Sequence, residues 1–182
     1  MVRVLDDLHI GAVGRAARYL ESRGDKRLLV LGIELVTMAM PFVNDRFAGW
    51  RERGNRGCVW LAVESLYSMD GDRAPLDDLA VIAARHDAVL LIDEAHATGV
   101  FGPNGRGLAA HLDGQDNVIT LRTCGKALGC EGALVCAPAV VSDFLINRGR
   151  GMIFSTAPSP LMAAAAAAGR STPDRSPAAP PP

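Results

Sequence analysis

A carboxylate, an imidazole and a primary amine follow two apolar stretches of the sequence. Asp93 and His96 follow the run AVLLI, and Lys126 comes shortly after the run NVITLR. A carboxylate at the end of an apolar strand is partly desolvated and needs a cationic or hydrogen-bonding partner. A lysine between small residues at a desolvated strand end can act as a nucleophile towards carbonyl groups. Since the chain has only one other lysine, Lys26, we favour a specific role for Lys126 over that of an ordinary surface lysine.

Each of these residues also has an ordinary interpretation. An isolated aspartate after a strand is most often the N-cap of the next segment, and an isolated histidine is usually structural. The letters DEAH at residues 93–96 also occur at the metal-binding strand end of helicase-type ATPases. Because that function needs an upstream GxxxxGK[ST] loop to hold nucleotide phosphates, and the sequence has none, we disfavour an ATPase.

The elements that position these residues are predicted from four short apolar runs. The runs are CVWLAVE (58–64), AVLLID (88–93), NVITLR (117–122) and GALVCA (132–137). Between the first two runs, apolar residues recur at helical spacing, at Leu76, Leu79, Ile82 and Ala83. Near-continuous apolar strands that alternate with helices are typical of a sheet covered on both faces. We therefore expect an α/β fold with a mainly parallel sheet and flanking helices.

Ligands bind such sheets beyond the carboxyl ends of the strands, so the polar residues at this edge form the candidate site. They are Glu64, Ser65, Ser68, Asp93, His96, Thr123 and Lys126. A carboxylate at one strand end and a lysine at the next suit pyridoxal phosphate. Its pyridine nitrogen needs an acidic partner and its aldehyde needs a lysine, while its phosphate needs hydroxyls or backbone N–H groups. Asp93, Lys126 and Thr123 fill these three roles.

The composition is that of a globular chain and gives no support to several function classes. Of 182 residues, 49% are hydrophobic and 21% charged, and the formal net charge is -1. We therefore expect neither a nucleic-acid-binding surface nor a polybasic membrane patch. The sequence has no apolar run that could span a bilayer and no signal peptide. The cysteines form no CxxC pair, so we expect reduced thiols, no metal site and a cytoplasmic location.

Three parts of the chain are predicted. Residues 1–40 form a mostly helical segment, in which RAARYLES is the clearest helix and RLLVLGIELVTMAM suits either a helix or a strand. Residues 41–162 carry the strand–helix alternation. Residues 163–182 are rich in alanine and proline, and no large apolar residue follows Met162. Since such a segment cannot bury a core, we expect a disordered tail.

Four stretches of the sequence resemble the α-oxoamine synthases, a family of pyridoxal-phosphate enzymes of fold type I. The stretches are ESLYSMDGDRAPL, LLIDEAHATGVFGPNGRGLAA, TCGKALGCEGALV and RGMIFSTAPSP. The resemblance implies part of the family's large domain, a homodimer, and condensation of an amino acid with an acyl thioester. Within the family, the motifs are closest to the members that use L-alanine and a pimeloyl thioester in biotin biosynthesis. Relatives that use glycine or serine, and other class I/II aminotransferases, remain alternatives.

The resemblance also implies a role for individual residues. Lys126 matches the lysine that binds the cofactor covalently and later removes the substrate's α-proton. Asp93 matches the partner of the pyridine nitrogen, and His96 matches a catalytic histidine beside the cofactor ring. Ser68 and Thr123 match residues that contact the cofactor.

The sequence also departs from the family pattern. A phosphate-binding glycine loop and a ring-stacking histidine are expected upstream, and His9 does not match the latter in position. The smaller C-terminal domain, with its arginine for the substrate carboxylate, has no counterpart. Two hypotheses therefore stay open: an α-oxoamine synthase impaired by truncation, and a non-catalytic fragment of such an enzyme.

Overall fold

The computed structural model describes residues 29–33 and 59–170, and they contain one five-stranded sheet. Its strands are β1 (Leu29–Ile33), β2 (Val59–Glu64), β3 (Ala88–Asp93), β4 (Val118–Thr123) and β5 (Ala133–Cys136), and they lie in that order. The first four strands are parallel, and β5 runs antiparallel to β4. The expected α/β fold with a mainly parallel sheet is thus confirmed.

One helix and the strand residues facing it form the main core. The helix α1 (Leu76–Arg85) connects β2 to β3, and the predicted stripe of Leu76, Leu79, Ile82 and Ala83 is buried. Alternate strand residues pack on the same core, including Leu61, Leu90 and Ile92, each 0% exposed. Each such side chain contributes about 1.5–3 kcal/mol when it leaves water.

Two short 3-10 helices, Pro103–Gly105 and Ala110–Leu112, lie between β3 and β4. Three helices follow β5: α2 (Ala139–Arg148), α3 (Arg150–Ile153) and α4 (Pro160–Arg170). Large apolar side chains on α2 and at the end of α3 are exposed, among them Phe144 at 64% and Phe154 at 74%. Within the described ranges, no helix is both long and apolar enough to cross a bilayer.

The prediction of disorder from residue 163 is wrong for residues 163–170, which belong to α4. Because no large apolar residue follows Met162, the sequence argues against a buried core there, but it does not argue against a helix. Alanine has the highest helix propensity, and the six alanines at 163–168 favour this conformation. Residues 171–182 lie outside the described residues, as does the predicted helix RAARYLES.

The uncertain segment RLLVLGIELVTMAM contains a strand, β1, over Leu29–Ile33. It pairs in parallel with β2, with Leu29 opposite Val59 and Ile33 opposite Val63. The rest of residues 1–58, including His9 and Cys58, lies outside the described residues.

Candidate functional site

Parallel pairing places the ends of β2, β3 and β4 at one edge of the sheet. Glu64 pairs with Asp93 and Asp93 pairs with Leu121, and β4 continues for two residues to Thr123. Because side chains alternate between the faces of a strand, Glu64, Asp93 and Thr123 lie on one face. Leu61, Leu90 and Ile92, which pack towards α1, lie on the other. The sheet therefore brings a carboxylate and a hydroxyl from neighbouring strands to the same side.

The turn after β3 carries His96. The Glu94 carbonyl oxygen accepts hydrogen bonds from the N–H groups of Ala97 and Thr98, at 3.0 and 2.8 Å. Asp93 Oδ1 accepts a hydrogen bond from the Ala95 N–H at 2.8 Å. The ordinary capping role considered for Asp93 is thus present. It uses only one carboxylate oxygen, so the other stays available to a ligand.

The loop after β4 carries Lys126 and is held by short-range hydrogen bonds. Thr123 Oγ1 accepts a hydrogen bond from the Gly125 N–H at 3.1 Å. The Cys130 N–H donates to the Cys124 carbonyl at 2.9 Å, and the Gly129 N–H donates to the Lys126 carbonyl at 3.0 Å. These bonds fold residues 124–130 into a compact loop at the carboxyl edge of β4.

The loop after β4 packs against the turn after β3 through small residues. Gly99 has a φ of +82°, and a Cβ placed on it would lie 2.9 Å from the Ala127 Cβ. That separation is shorter than normal packing allows, so a larger residue at position 99 would push the loop away. The close approach brings the segments of His96 and Lys126 together.

His96 and Lys126 make a direct polar contact. Lys126 Nζ lies 2.6 Å from His96 Nε2. The two nitrogens are within hydrogen-bonding distance, and which of them donates depends on the tautomer of His96. The expected desolvation of Lys126 is wrong, since its side chain is exposed. The cause is its place in a loop beyond the last residue of β4, whereas the strand-end Asp93 is half-buried as expected.

Ser68 does not join this group. It lies in the turn after β2, where the Gly71 N–H donates to the Tyr67 carbonyl at 3.0 Å, and its side chain is exposed. Within residues 59–170, no hydrogen bond joins Ser68 to Asp93, His96 or Lys126. The structure therefore joins His96 to Lys126 by direct contact and places Asp93 and Thr123 on one face of neighbouring strands, while Ser68 makes no hydrogen bond to any of these four residues within the same range.

Two buried charged residues beside the site were missed by the sequence analysis. Glu94 is 0% exposed and Arg122 is 8% exposed, and Arg122 Nε lies 4.0 Å from Glu94 Oε2. Arg122 Nη2 donates to both oxygens of Asp113 at 2.9 Å. Strand alternation was the available signal, because Asp93 and Glu94 must point in opposite directions and one must therefore enter the core.

Three cysteines lie in the described part of the chain, Cys124, Cys130 and Cys136, and none of them forms a disulfide there. Arg122 Nη1 donates to Cys136 Sγ at 3.0 Å, which links this thiol to the buried charges. Residues 29–33 and 59–170 hold no cluster of three or more side chains that could bind a metal ion.

A protein-family model described as aminotransferase class I and II matches residues 48–177. The 8-amino-7-oxononanoate synthase of Acidithiobacillus ferrooxidans is 41% identical over 160 residues, which are 84% of this chain and 41% of that protein. The enzyme of the same name from Anaeromyxobacter sp. (strain K) is 49% identical over 120 residues, which are 65% of this chain and 30% of that protein. The chain thus spans well under half the length of these curated relatives.

Solved structures share the fold. A serine palmitoyltransferase from S. paucimobilis with a bound PLP–myriocin aldimine is 24% identical, with a TM-score of 0.68 over 93% of this chain and 41% of that one. The 8-amino-7-oxononanoate synthase from Francisella tularensis is also 24% identical, with a TM-score of 0.57 over 79% of this chain and 46% of that one.

Proposed function

Because the chain belongs to the aminotransferase class I and II family, whose model matches residues 48–177, we propose that it forms the cofactor-binding part of a pyridoxal-phosphate-dependent α-oxoamine synthase. The observation that carries the proposal is the contact of 2.6 Å between Lys126 Nζ and His96 Nε2 at the edge where β3 and β4 end. This contact brings a primary amine and an imidazole nitrogen together, and Asp93 ends the strand that leads to His96.

The residues at this edge fit pyridoxal phosphate. When bound, the cofactor supplies an aldehyde that condenses with an amine and a pyridinium ring that withdraws electrons from the reacting carbon. Asp93 would hold the ring nitrogen through the carboxylate oxygen that does not accept from Ala95. Lys126 would hold the aldehyde carbon. The Thr123 hydroxyl, which accepts from the Gly125 N–H, would donate its own hydrogen to the phosphate.

His96 and Lys126 share the proton that controls the lysine's reactivity. An ammonium group has no lone pair, so Lys126 must lose a proton before its nitrogen can attack a carbonyl carbon. His96 Nε2 is in place to accept that proton. As a free amine, Lys126 would be the base that removes the substrate's α-proton. His96 then holds the amine in position by the same hydrogen bond.

The substrates we propose are an amino acid and an acyl thioester, with L-alanine and a pimeloyl thioester as the specific pair. The support is the name 8-amino-7-oxononanoate synthase carried by relatives that are 41% and 49% identical over the matched residues. A glycine- or serine-using reaction is the alternative, since the fold is shared with serine palmitoyltransferase. We further propose a homodimer in the cytoplasm. The exposed apolar side chains on α2 and α3, such as Phe144 and Phe154, support an interface there.

Reduction with borohydride tests the cofactor assignment. The full chain is incubated with pyridoxal phosphate, reduced, digested and analysed by mass spectrometry. We expect a pyridoxyl adduct on Lys126, and no adduct at this position in the Lys126→Arg control. Lys26 is the only other lysine and serves as the internal reference. An adduct confined to Lys26, or no adduct in a chain shown to be folded by circular dichroism, would overturn the proposal.

A further inference from the structure

Glu94 is a fully buried carboxylate that the proposed chemistry does not use. It follows Asp93 directly, and the alternation of side chains turns it to the opposite side from Asp93, towards Ala109 and Arg122. Its side chain is 0% exposed. Burying a carboxylate is costly unless it is paired and hydrogen-bonded, and an apolar residue of similar size often serves a core better. A glutamate at this position therefore calls for a reason other than core stability.

The Glu94 side chain connects the start of the loop of residues 94–109 to its end. Oε1 accepts a hydrogen bond from the Ala109 N–H at 3.1 Å. The carboxylate also lies so close to Gly107 that a Cβ there would overlap it. Between these ends, the loop is folded on itself, since the Gly99 N–H donates to the Gly105 carbonyl at 2.8 Å. Residues 94–109 thus form one closed unit that carries His96.

The charge of Glu94 is matched by a second buried group. Arg122 Nε lies 4.0 Å from Glu94 Oε2, too far for a hydrogen bond, and neither atom has another hydrogen-bond partner within the described part of the chain. Asp113 holds the far side of the Arg122 guanidinium with two contacts of 2.9 Å. Arg122 belongs to β4, the strand that leads into the Lys126 loop. The charge pair therefore connects the Glu94 carboxylate to the strand that leads to Lys126.

The backbone of Glu94 completes this arrangement. Its N–H donates to the Leu121 carbonyl of β4 at 2.8 Å, and its carbonyl oxygen accepts from Ala97 and Thr98 in the turn that contains His96. We propose that Glu94 is a positioning residue, which holds the turn and the loop so that His96 Nε2 meets Lys126 Nζ. The inference deepens the proposed function and rests on it only in taking Lys126 as the reactive lysine.

The test compares the reactivity of two lysines without any cofactor. The full chain is reductively methylated with formaldehyde and cyanoborohydride near neutral pH, and labelling of Lys126 is expressed relative to Lys26. Three variants are compared with the parent: Glu94→Gln, His96→Asn and the control Ile82→Val. Glu94→Gln keeps the acceptor for Ala109 but turns an amide N–H towards Arg122, which is itself a donor. Ile82 lies on α1 in the hydrophobic core and is not part of the turn.

We expect Glu94→Gln to change the Lys126 to Lys26 labelling ratio roughly fivefold, as loss of one hydrogen bond would, in the same direction as His96→Asn and towards its value. Ile82→Val should leave the ratio unchanged. A parental ratio in Glu94→Gln would overturn the proposal. The proposal would also be overturned if Glu94→Gln fails to fold while Ile82→Val folds, because the Glu94 carboxylate would then be needed for the stability of the whole fold. If the ratio changes as it does in His96→Asn but no pyridoxyl adduct forms at Lys126, only the proposed cofactor function fails.

Discussion

Gly99→Ala should separate His96 from Lys126 by displacing the loop after β4. Gly99 has a φ of +82°, and an added Cβ would lie 2.9 Å from the Ala127 Cβ and 3.3 Å from the Leu128 Cδ2. The Ala127 side of this contact is a methyl group fixed to the backbone, so it can yield only by movement of the loop. Because Lys126 is the preceding residue, its amine would move away from His96 Nε2.

Two effects add up in this substitution, and a matched control separates them. A residue with a side chain in the left-handed region costs about 1–2 kcal/mol. Overpacking against Ala127 costs about 1–3 kcal/mol more, so the free energy of unfolding should fall by about 2–5 kcal/mol in all. Gly114 has a φ of +88° and nothing within 4 Å of an added Cβ. Gly114→Ala should therefore show only the backbone cost of about 1–2 kcal/mol.

The assay measures unfolding in urea and the yield of the pyridoxyl adduct at Lys126 in the same samples. We expect a reduced adduct yield in Gly99→Ala and an unchanged yield in Gly114→Ala. The double variant Gly99→Ala/Ala127→Gly removes the clash and should recover most of the yield. If Gly99→Ala and Gly114→Ala lose equal stability and give equal yields, the two loops do not depend on this contact and the reasoning is refuted.

Two further outcomes are expected. Asp93→Asn should weaken pyridoxal phosphate binding about tenfold or more, since a neutral amide cannot make a charge-assisted hydrogen bond to the ring nitrogen. Absorbance titration measures the affinity, with the exposed Asp116→Asn as the control. Equal affinities of the two variants would contradict this expectation. The 182-residue chain should release little free thiol from a pimeloyl thioester with L-alanine. Correct placement of substrates supplies roughly 7–11 kcal/mol of barrier reduction, and the chain spans only 41% and 30% of the length of two curated relatives. Robust release that Lys126→Ala abolishes would show a working enzyme.

The sequence alone predicted the local elements of the fold. The apolar runs at β2, β3 and β4 and the helical stripe of α1 are patterns of neighbouring residues, so they can be recognised without the tertiary structure. The direction of β5 follows from its connection, since residues 124–132 are too few for a parallel crossover. By contrast, RLLVLGIELVTMAM suits both a helix and a strand, and pairing with β2 makes part of it a strand.

The sequence also determined which chemical groups stand at the carboxyl edge of the sheet, because Asp93, Thr123 and Lys126 follow directly from the strand ends. Only the tertiary structure decided that His96 and Lys126 meet at 2.6 Å. These residues belong to two loops, and the loops become neighbours only when β3 and β4 pair in register and Gly99 allows Ala127 to approach. Burial of Glu94 was decided in the same way: strand alternation sends one of two adjacent acids inward, and the pairing partner Arg122 comes from a different strand.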